Sequence, residues 1–63
     1  MRLKFFRDKK SLTQKNIANV LGLSVSTISK WESGISKPRA DTLKKLADLL
    51  NCTIDDLLKD KAE

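Results

Sequence analysis

The sequence LTQKNIANVLGLSVSTISKWESG, residues 12–34, contains two short amphipathic helix patterns joined by a tight turn. In the first pattern Ile17, Ala18 and Leu21 fall on one helical face, the spacing with which a helix buries an apolar stripe. Gly22 follows at once, and glycine takes the left-handed backbone conformation that closes a helix at no steric cost. The chain is therefore predicted to reverse direction within a few residues.

The second pattern begins after Leu23 and Ser24 and buries Ile28 and Trp31, which are three residues apart. This spacing predicts that Trp31 is a core residue. The alternative is an exposed indole ring that stacks on nucleic-acid bases. The opposite face is polar, and its only charge is positive: Ser26, Thr27, Ser29 and Lys30. Two short helices joined by a tight turn form a helix-turn-helix pattern.

Hydroxyl residues begin three of the predicted helices. Thr13, Ser24 and Thr53 each follow an apolar residue and precede another by four positions. A hydroxyl at this place accepts a hydrogen bond from a free backbone N–H, and the flanking apolar pair packs as a hydrophobic staple. Asp56, three residues after Thr53, adds a weak capping box. Each cap contributes about 1 kcal/mol to the stability of its helix.

The whole chain is predicted to fold as one compact all-α domain, residues 1–63, with five helices. Their predicted bounds are about 1–9, 14–21, 25–33, 40–50 and 54–59. Helix 1 turns Leu3, Phe6 and Arg7 inward and Phe5 outward, which is unusual for a solvated helix face. The Phe5 ring either lies over its neighbours or contacts a partner.

The charge distribution along the chain is asymmetric. The net charge is +5, but residues 1–45 carry eleven Lys and Arg against three acids, net +8, whereas residues 46–63 carry two against five, net −3. A basic region of this kind suits nucleic acid or an anionic membrane surface. The alternative is that the lysines merely solvate helix faces.

The composition argues against several classes of protein. Without histidine or a motif that pairs a nucleophile with a base, we expect no enzyme, no metal site and no cofactor. No run reaches the ~18 apolar residues of a membrane span, and the first ten residues are too charged for a signal peptide. The expected location is the cytoplasm, with no membrane association and no small-molecule ligand inferred. The single Cys52 is expected to be a buried, inert thiol rather than a redox sensor.

Many of these residues also occur together at fixed offsets. They are Arg7, Leu12-Thr13-Gln14, Ile17-Ala18, Leu21-Gly22-Leu23-Ser24, Ile28-Ser29-Lys30-Trp31-Glu32-Ser33-Gly34, Lys37-Pro38 and Leu43 to Leu46-Ala47. In this pattern, over Leu3 to Leu58, the chain resembles the phage repressor and Cro-type helix-turn-helix (XRE) family of DNA-binding transcriptional regulators. The resemblance implies a bacterial or phage-encoded protein with a repressor-like five-helix fold, whose helix 3 enters the major groove of operator DNA.

The resemblance implies that Val25, Ser26 and Lys30 read bases, and that Thr27 and Ser29 contact bases or phosphate. The side chains suit these roles, because valine packs on a thymine methyl, serine bonds to either partner of a base pair, and lysine donates to guanine O6 or N7. This face has no Arg, Gln or Asn to make a bidentate contact. We therefore expect modest base discrimination per residue, shared with shape readout.

Gln14, Lys37 and Arg39 are the candidates for contacts with phosphate or the minor groove. Gln14 lies in the first turn of helix 2, where free N–H groups favour an anion, and it matches a phosphate-binding glutamine of the family. Lys37 and Arg39 bracket Pro38 on a loop expected to face phosphate or a narrow minor groove. The alternative for each is an ordinary surface residue.

Arg7 and Glu32 match the positions of a largely buried ion pair in the family, between helix 1 and the end of helix 3. Removing one partner of such a pair strands a charge and costs ~3 to 5 kcal/mol. The alternative for Arg7 is a contact with DNA phosphate.

A single module of this size binds DNA weakly, so we expect a homodimer on a pseudo-palindromic operator with half-sites about 34 Å apart. Apolar residues beyond the needs of one core predict the dimer interface in or beside helix 5: Leu49, Ile54, Leu58 and Phe5. The competing interpretation is a protein-interaction module, such as an antitoxin-like partner with secondary DNA binding.

Overall fold

The computed structural model describes residues 1–59, and these contain five α-helices and no strand. The helices are α1 (Leu3–Lys9), α2 (Gln14–Leu21), α3 (Val25–Ser33), α4 (Ala40–Leu50) and α5 (Ile54–Leu58). Helix α3 packs against α2 and α1, and α4 packs against α5. The predicted all-α class with five helices is confirmed. Residues 60–63, which the predicted domain includes, lie outside the described residues.

Side-chain caps begin α2, α3 and α5, as the hydroxyl pattern predicts. The Thr13 hydroxyl accepts from the Asn16 amide at 3.0 Å, and the Asn16 side chain accepts from the Thr13 amide at 2.9 Å. Thr53 and Asp56 form the same reciprocal pair at 2.9 and 3.4 Å. The Ser24 hydroxyl accepts from a backbone N–H at 3.2 Å. These local bonds fix where three of the helices begin.

Left-handed residues end three of the helices. Gly22 after α2 and Gly34 after α3 have φ of 70° and 83°, and Asn51 after α4 has φ of 56°. The connection after α1 contains a further left-handed residue, Ser11, with φ of 57°. Glycine takes this conformation without strain, whereas serine does so at a cost because its Cβ approaches the following carbonyl.

Two predicted helix bounds differ from the structure. Helix α1 begins at Leu3 rather than at residue 1, because the N–H of Arg2 donates to the Leu57 carbonyl at 2.7 Å and no side chain caps the helix. Helix α5 ends at Leu58 rather than at residue 59, because Lys59 has extended backbone angles. The first difference arises from a contact between residues distant in sequence, which no local pattern contains.

The core is apolar and receives side chains from all five helices. It is made of Leu3, Ile17, Ala18, Ile28, Trp31, Leu46, Leu50 and Leu57. Trp31 is only 6% exposed, so it is a core residue and is not available as a platform for bases. Within residues 1–59 no polar or charged residue is fully buried. The core therefore holds α3 by one side and leaves its other side open to solvent.

Candidate nucleic-acid interface

The outer face of α3 is exposed along most of its length. Val25, Ser26, Ser29 and Lys30 are all exposed, and Val25 keeps 41% of its surface accessible. At 100° per residue these four side chains span one arc of the helix, opposite the buried Ile28. The structure thus brings the predicted base-reading residues together on an open surface.

Thr27 is the exception among the five residues predicted on this face. It is half-buried, and its hydroxyl is 3.0 Å from the hydroxyl of Ser24. This contact belongs to the capping arrangement at the start of α3. The Thr27 hydroxyl is therefore already engaged within the protein.

The outer face of α3 carries no carboxylate between Val25 and Trp31. Lys30 is its only charged residue, and the first acid in the helix is Glu32. A polyanion approaching this face meets short polar side chains and one cation. The carboxylate of Glu32 is neutralised by a partner from α1.

That partner is Arg7. Its Nε donates to Glu32 Oε2 at 2.8 Å, and its Nη2 lies 3.4 Å from Glu32 Oε1. The two side chains are 11% and 10% exposed. The hydrogen bond that Arg7 donates to Glu32 raises the pKa of Arg7 above its ordinary value, so the guanidinium stays charged. The pair links α1 to the C-terminal turn of α3.

Arg7 also fixes the connection between α1 and α2. Its Nη1 donates to the Leu12 carbonyl at 2.9 Å, and the carboxylate of Asp8 lies 3.4 Å from the same nitrogen. Each nitrogen of the guanidinium thus contacts a protein acceptor. The alternative role for Arg7, a phosphate contact, would have to use the hydrogens that these three bonds leave over.

Gln14 makes a contact that sequence analysis missed. Its Nε2 donates to Glu32 Oε1 at 2.8 Å, across 18 residues of sequence. Gln14 is the first residue of α2, where the first backbone N–H groups have no acceptor within the helix and carry partial positive charge. The side-chain amide therefore lies beside a position that favours an anion.

Lys37 and Arg39 are exposed on the loop between α3 and α4, on either side of the buried Pro38. Arg39 occupies the N-cap position of α4 but makes no side-chain cap bond there. In its place, Asp41 lies in the first turn of the helix, where a negative charge is favourable. Both cations extend from a segment whose direction is fixed by proline.

The four residues predicted at a dimer interface divide into two groups. Phe5 and Leu58 are 44% and 46% exposed, whereas Leu49 and Ile54 are half-buried. The Arg2 guanidinium lies 3.9 Å from the centroid of the Phe5 ring, so one face of that ring is covered from within the chain. The two elements that carry the exposed pair meet at the bond between the Arg2 amide and the Leu57 carbonyl.

Other chemistry is scarce in the described part of the chain. Residues 1–59 hold no cluster of potential metal ligands, and no described helix is long and apolar enough to cross a bilayer. Cys52 is half-buried, and burial raises the pKa of its thiol, with a further contribution from the charge of Asp56. This thiol is less ionised than an exposed one at the same pH.

The helix-turn-helix family model (HTH_3) matches residues 3–57, which include all five helices except the last residue of α5. The chain therefore belongs to the helix-turn-helix family. The resemblance that the sequence motifs indicate is confirmed.

Curated relatives carry the names of transcriptional regulators. The transcriptional activator BcrR of Enterococcus faecalis is 42% identical over 57 residues, which is 90% of this chain and 28% of BcrR. The uncharacterized regulator YazB of Bacillus subtilis is 39% identical over 56 residues, 89% of this chain and 81% of YazB. The phage repressor RstR of Vibrio cholerae is 40% identical over 45 residues, 71% of this chain and 40% of RstR.

The length of the match differs among these relatives. The chain spans about a quarter of BcrR and about half of the Bacillus subtilis regulator AnsR, to which it is 40% identical over 57 residues, 90% of this chain. No solved structure matches the chain significantly.

Proposed function

We propose that this chain is a sequence-specific, non-enzymatic DNA-binding unit of a transcriptional regulator, and that it inserts α3 into the major groove. The observation that carries the proposal is the open outer face of α3, which bears short polar side chains and one cation. A helix that approaches base edges needs such side chains and no unpaired acid. Family membership and the names of the relatives, which include an activator and a phage repressor, support the same class.

In this proposal Val25, Ser26 and Lys30 read bases, and Ser29 contacts a base or phosphate. All four are exposed on one arc of α3. Thr27 contributes less, because its hydroxyl lies 3.0 Å from that of Ser24. Lys30 is the residue with the longest reach and the only charge, so we assign to it the largest share of base discrimination.

Phosphate contacts flank the reading helix on two sides. Gln14 lies at the N-terminus of α2, and Lys37 and Arg39 are exposed before α4. These contacts fix the register of α3 in the groove without reading sequence. The excess of positive charge in residues 1–45 adds attraction at long range, and the acidic remainder is assigned to the side away from DNA.

We propose further that two copies bind a pseudo-palindromic operator, with Phe5 and Leu58 in the interface and Leu49 and Ile54 at its edge. The exposed apolar pair on α1 and α5 supports this surface. Leu58→Lys should shift a dimer toward monomer in analytical ultracentrifugation and leave the fold intact. Ile35→Lys, at an apolar residue that is 74% exposed elsewhere, is the matched control. A dimer unaffected by Leu58→Lys would exclude this interface.

The primary test is selection of bound sites from a random duplex library, followed by fluorescence anisotropy on the selected site. With Lys37 and Arg39 each neutralising one phosphate per copy, a dimer releases counterions from about four phosphates. The affinity should then fall roughly 100-fold or more between about 50 and 200 mM salt. Binding that ignores salt, or selection without a consensus, would favour a protein-interaction module over this function.

Variants separate the roles of individual residues. Lys30→Ala should relax preference at one base position, at a cost of about 1 kcal/mol for the preferred base, the lower end of the range for a base contact. Lys37→Ala should weaken all sequences alike and lower the salt slope by about 1 per copy. Lys59→Ala, at an exposed lysine after α5, is the control and should change neither. The opposite pattern for the first two variants would reverse the assignments.

A further inference from the structure

We propose that Glu32 acts in DNA binding through Gln14, as a positioning residue that holds the glutamine amide in place before DNA arrives. The proposal rests on the proposed function, in which Gln14 contacts a phosphate. Its basis is the chain of bonds from Arg7 through Glu32 to Gln14, which joins side chains of α1, α3 and α2. We call these three side chains the hub.

The geometry leaves part of the Gln14 amide available. A glutamine amide nitrogen carries two hydrogens, and one of them points to Glu32 Oε1 at 2.8 Å. The second hydrogen can be donated to a phosphate oxygen. Gln14 is half-buried at the first position of α2, where the first backbone N–H groups also have no acceptor within the helix.

Arg7 allows the Glu32 carboxylate to hold Gln14 close to a DNA phosphate. A lone carboxylate next to DNA would repel the backbone, but two contacts from Arg7, at 2.8 and 3.4 Å, neutralise Glu32 and hold its orientation. Glu32 Oε1 therefore presents a fixed acceptor to Gln14. The ion pair and the phosphate contact become parts of one arrangement.

Two benefits follow for binding. A glutamine that is already held loses less side-chain freedom when it meets a phosphate, and such preorganisation raises affinity. In addition, Glu32 lies on α3, so the phosphate contact at the start of α2 is in fixed register with the base-reading face. We expect the held amide to improve affinity about 3- to 10-fold for each half-site.

The test combines Gln14→Ala with the paired substitution Arg7→Met/Glu32→Leu, which removes the acceptor without stranding a charge. Affinity for the selected duplex is measured for the wild type, both variants and their combination. Each variant should lower the affinity about 3- to 10-fold per half-site. The combined variant should have the same affinity as whichever of the two binds less tightly, because both changes remove the same contact. Lys37→Ala serves as the control. Its fold reduction in affinity should multiply with that of the paired substitution, because the two act independently.

A second measurement does not depend on DNA. The side-chain amide of Gln14, observed by 15N relaxation in the free protein, should be ordered in the wild type and mobile in the paired variant. Glu32→Asp, which keeps the partner of Arg7 but withdraws the carboxylate by one methylene, should also release it. A mobile Gln14 amide in the free wild type, or independent losses in the binding cycle, would overturn the proposal. A wild type that binds no duplex at all would instead overturn the proposed function.

Discussion

Replacing Arg7 with methionine should destabilise the fold through the charge that it leaves behind. The substitution keeps an unbranched side chain of similar length but removes the guanidinium. Two contacts to Glu32 and one to the Leu12 carbonyl disappear together. The Glu32 carboxylate, only 10% exposed, then has no cation to balance it.

The magnitude follows from the burial of the pair. Breaking a buried ion pair by removing one partner costs about 3–5 kcal/mol, and the lower value applies here because about a tenth of each side chain reaches water. We therefore expect a loss of about 3 kcal/mol. A chain of 63 residues has a total stability of roughly 3–9 kcal/mol. The melting temperature should fall by roughly 12–24 °C, or the variant should be largely unfolded at room temperature.

This loss is measured by urea and thermal unfolding. The transition is monitored by far-ultraviolet circular dichroism and by the fluorescence of the buried Trp31. Coincidence of the two probes tests whether one transition is observed. The paired variant Arg7→Met/Glu32→Leu should recover to within about 1 kcal/mol of the wild type, since no charge remains stranded. Lys4→Met, at an exposed residue of α1, controls for the methionine itself.

Either of two results would refute this reasoning. One is a loss below about 1 kcal/mol for Arg7→Met, the value of an exposed pair. The other is a paired variant as unstable as Arg7→Met alone. Because the pKa of Arg7 is raised in the folded state, its contribution is fully present below its ordinary pKa and is lost only in strong alkali. Titration of Arg7 should thus not change the difference in free energy of unfolding between wild type and variant near neutral pH.

Four smaller effects should also be measurable. Thr13→Ala removes the hydroxyl that caps α2 and should cost about 1 kcal/mol, or about 4–8 °C in melting temperature. Gly22→Ala should lower the free energy of unfolding by ~1–2 kcal/mol. The loss comes from backbone strain alone, because an added Cβ meets no atom within 4 Å. Ser11→Gly should raise the free energy of unfolding by up to about 1 kcal/mol, because it relieves the same strain. Cys52 should react with a thiol reagent more slowly than in the urea-unfolded chain, because burial and Asp56 raise its pKa and only the thiolate reacts. The midpoint of its pH–rate profile should be shifted upward, and an unshifted midpoint would contradict the half-buried position of this thiol.

Local interactions made most helix bounds predictable. The caps Thr13, Ser24 and Thr53 each bond within three residues, and Gly22 closes its helix by its own backbone preference, so a short window contains the relevant physics. The beginning of α1 could not be found in this way. Arg2 is held by a bond to Leu57, which depends on the packing of α5.

The exposed face of the candidate site could be predicted from the sequence, whereas two of its side-chain contacts could not. The exposed arc of α3 follows from the helical period, because the core positions Ile28 and Trp31 determine which side remains open. The bond from Gln14 to Glu32 could not be predicted, since it depends on the side-chain rotamers of two residues that lie on different helices and are 18 apart in sequence. The same limit applies to Thr27, whose hydroxyl turns to Ser24 rather than to solvent.

The hub has a consequence for the way the molecule opens. Because Arg7, Glu32 and Gln14 join α1, α2 and α3, local unfolding of any one of these helices must break bonds of the other two. Their backbone amides should therefore exchange with deuterium as one cooperative unit, at the free energy of global unfolding. Helix α5, with five residues and Leu57 as its buried residue, should exchange faster. Helix α3 then belongs to the part of the protein that opens most slowly, so under the proposed function it approaches DNA as a rigid element.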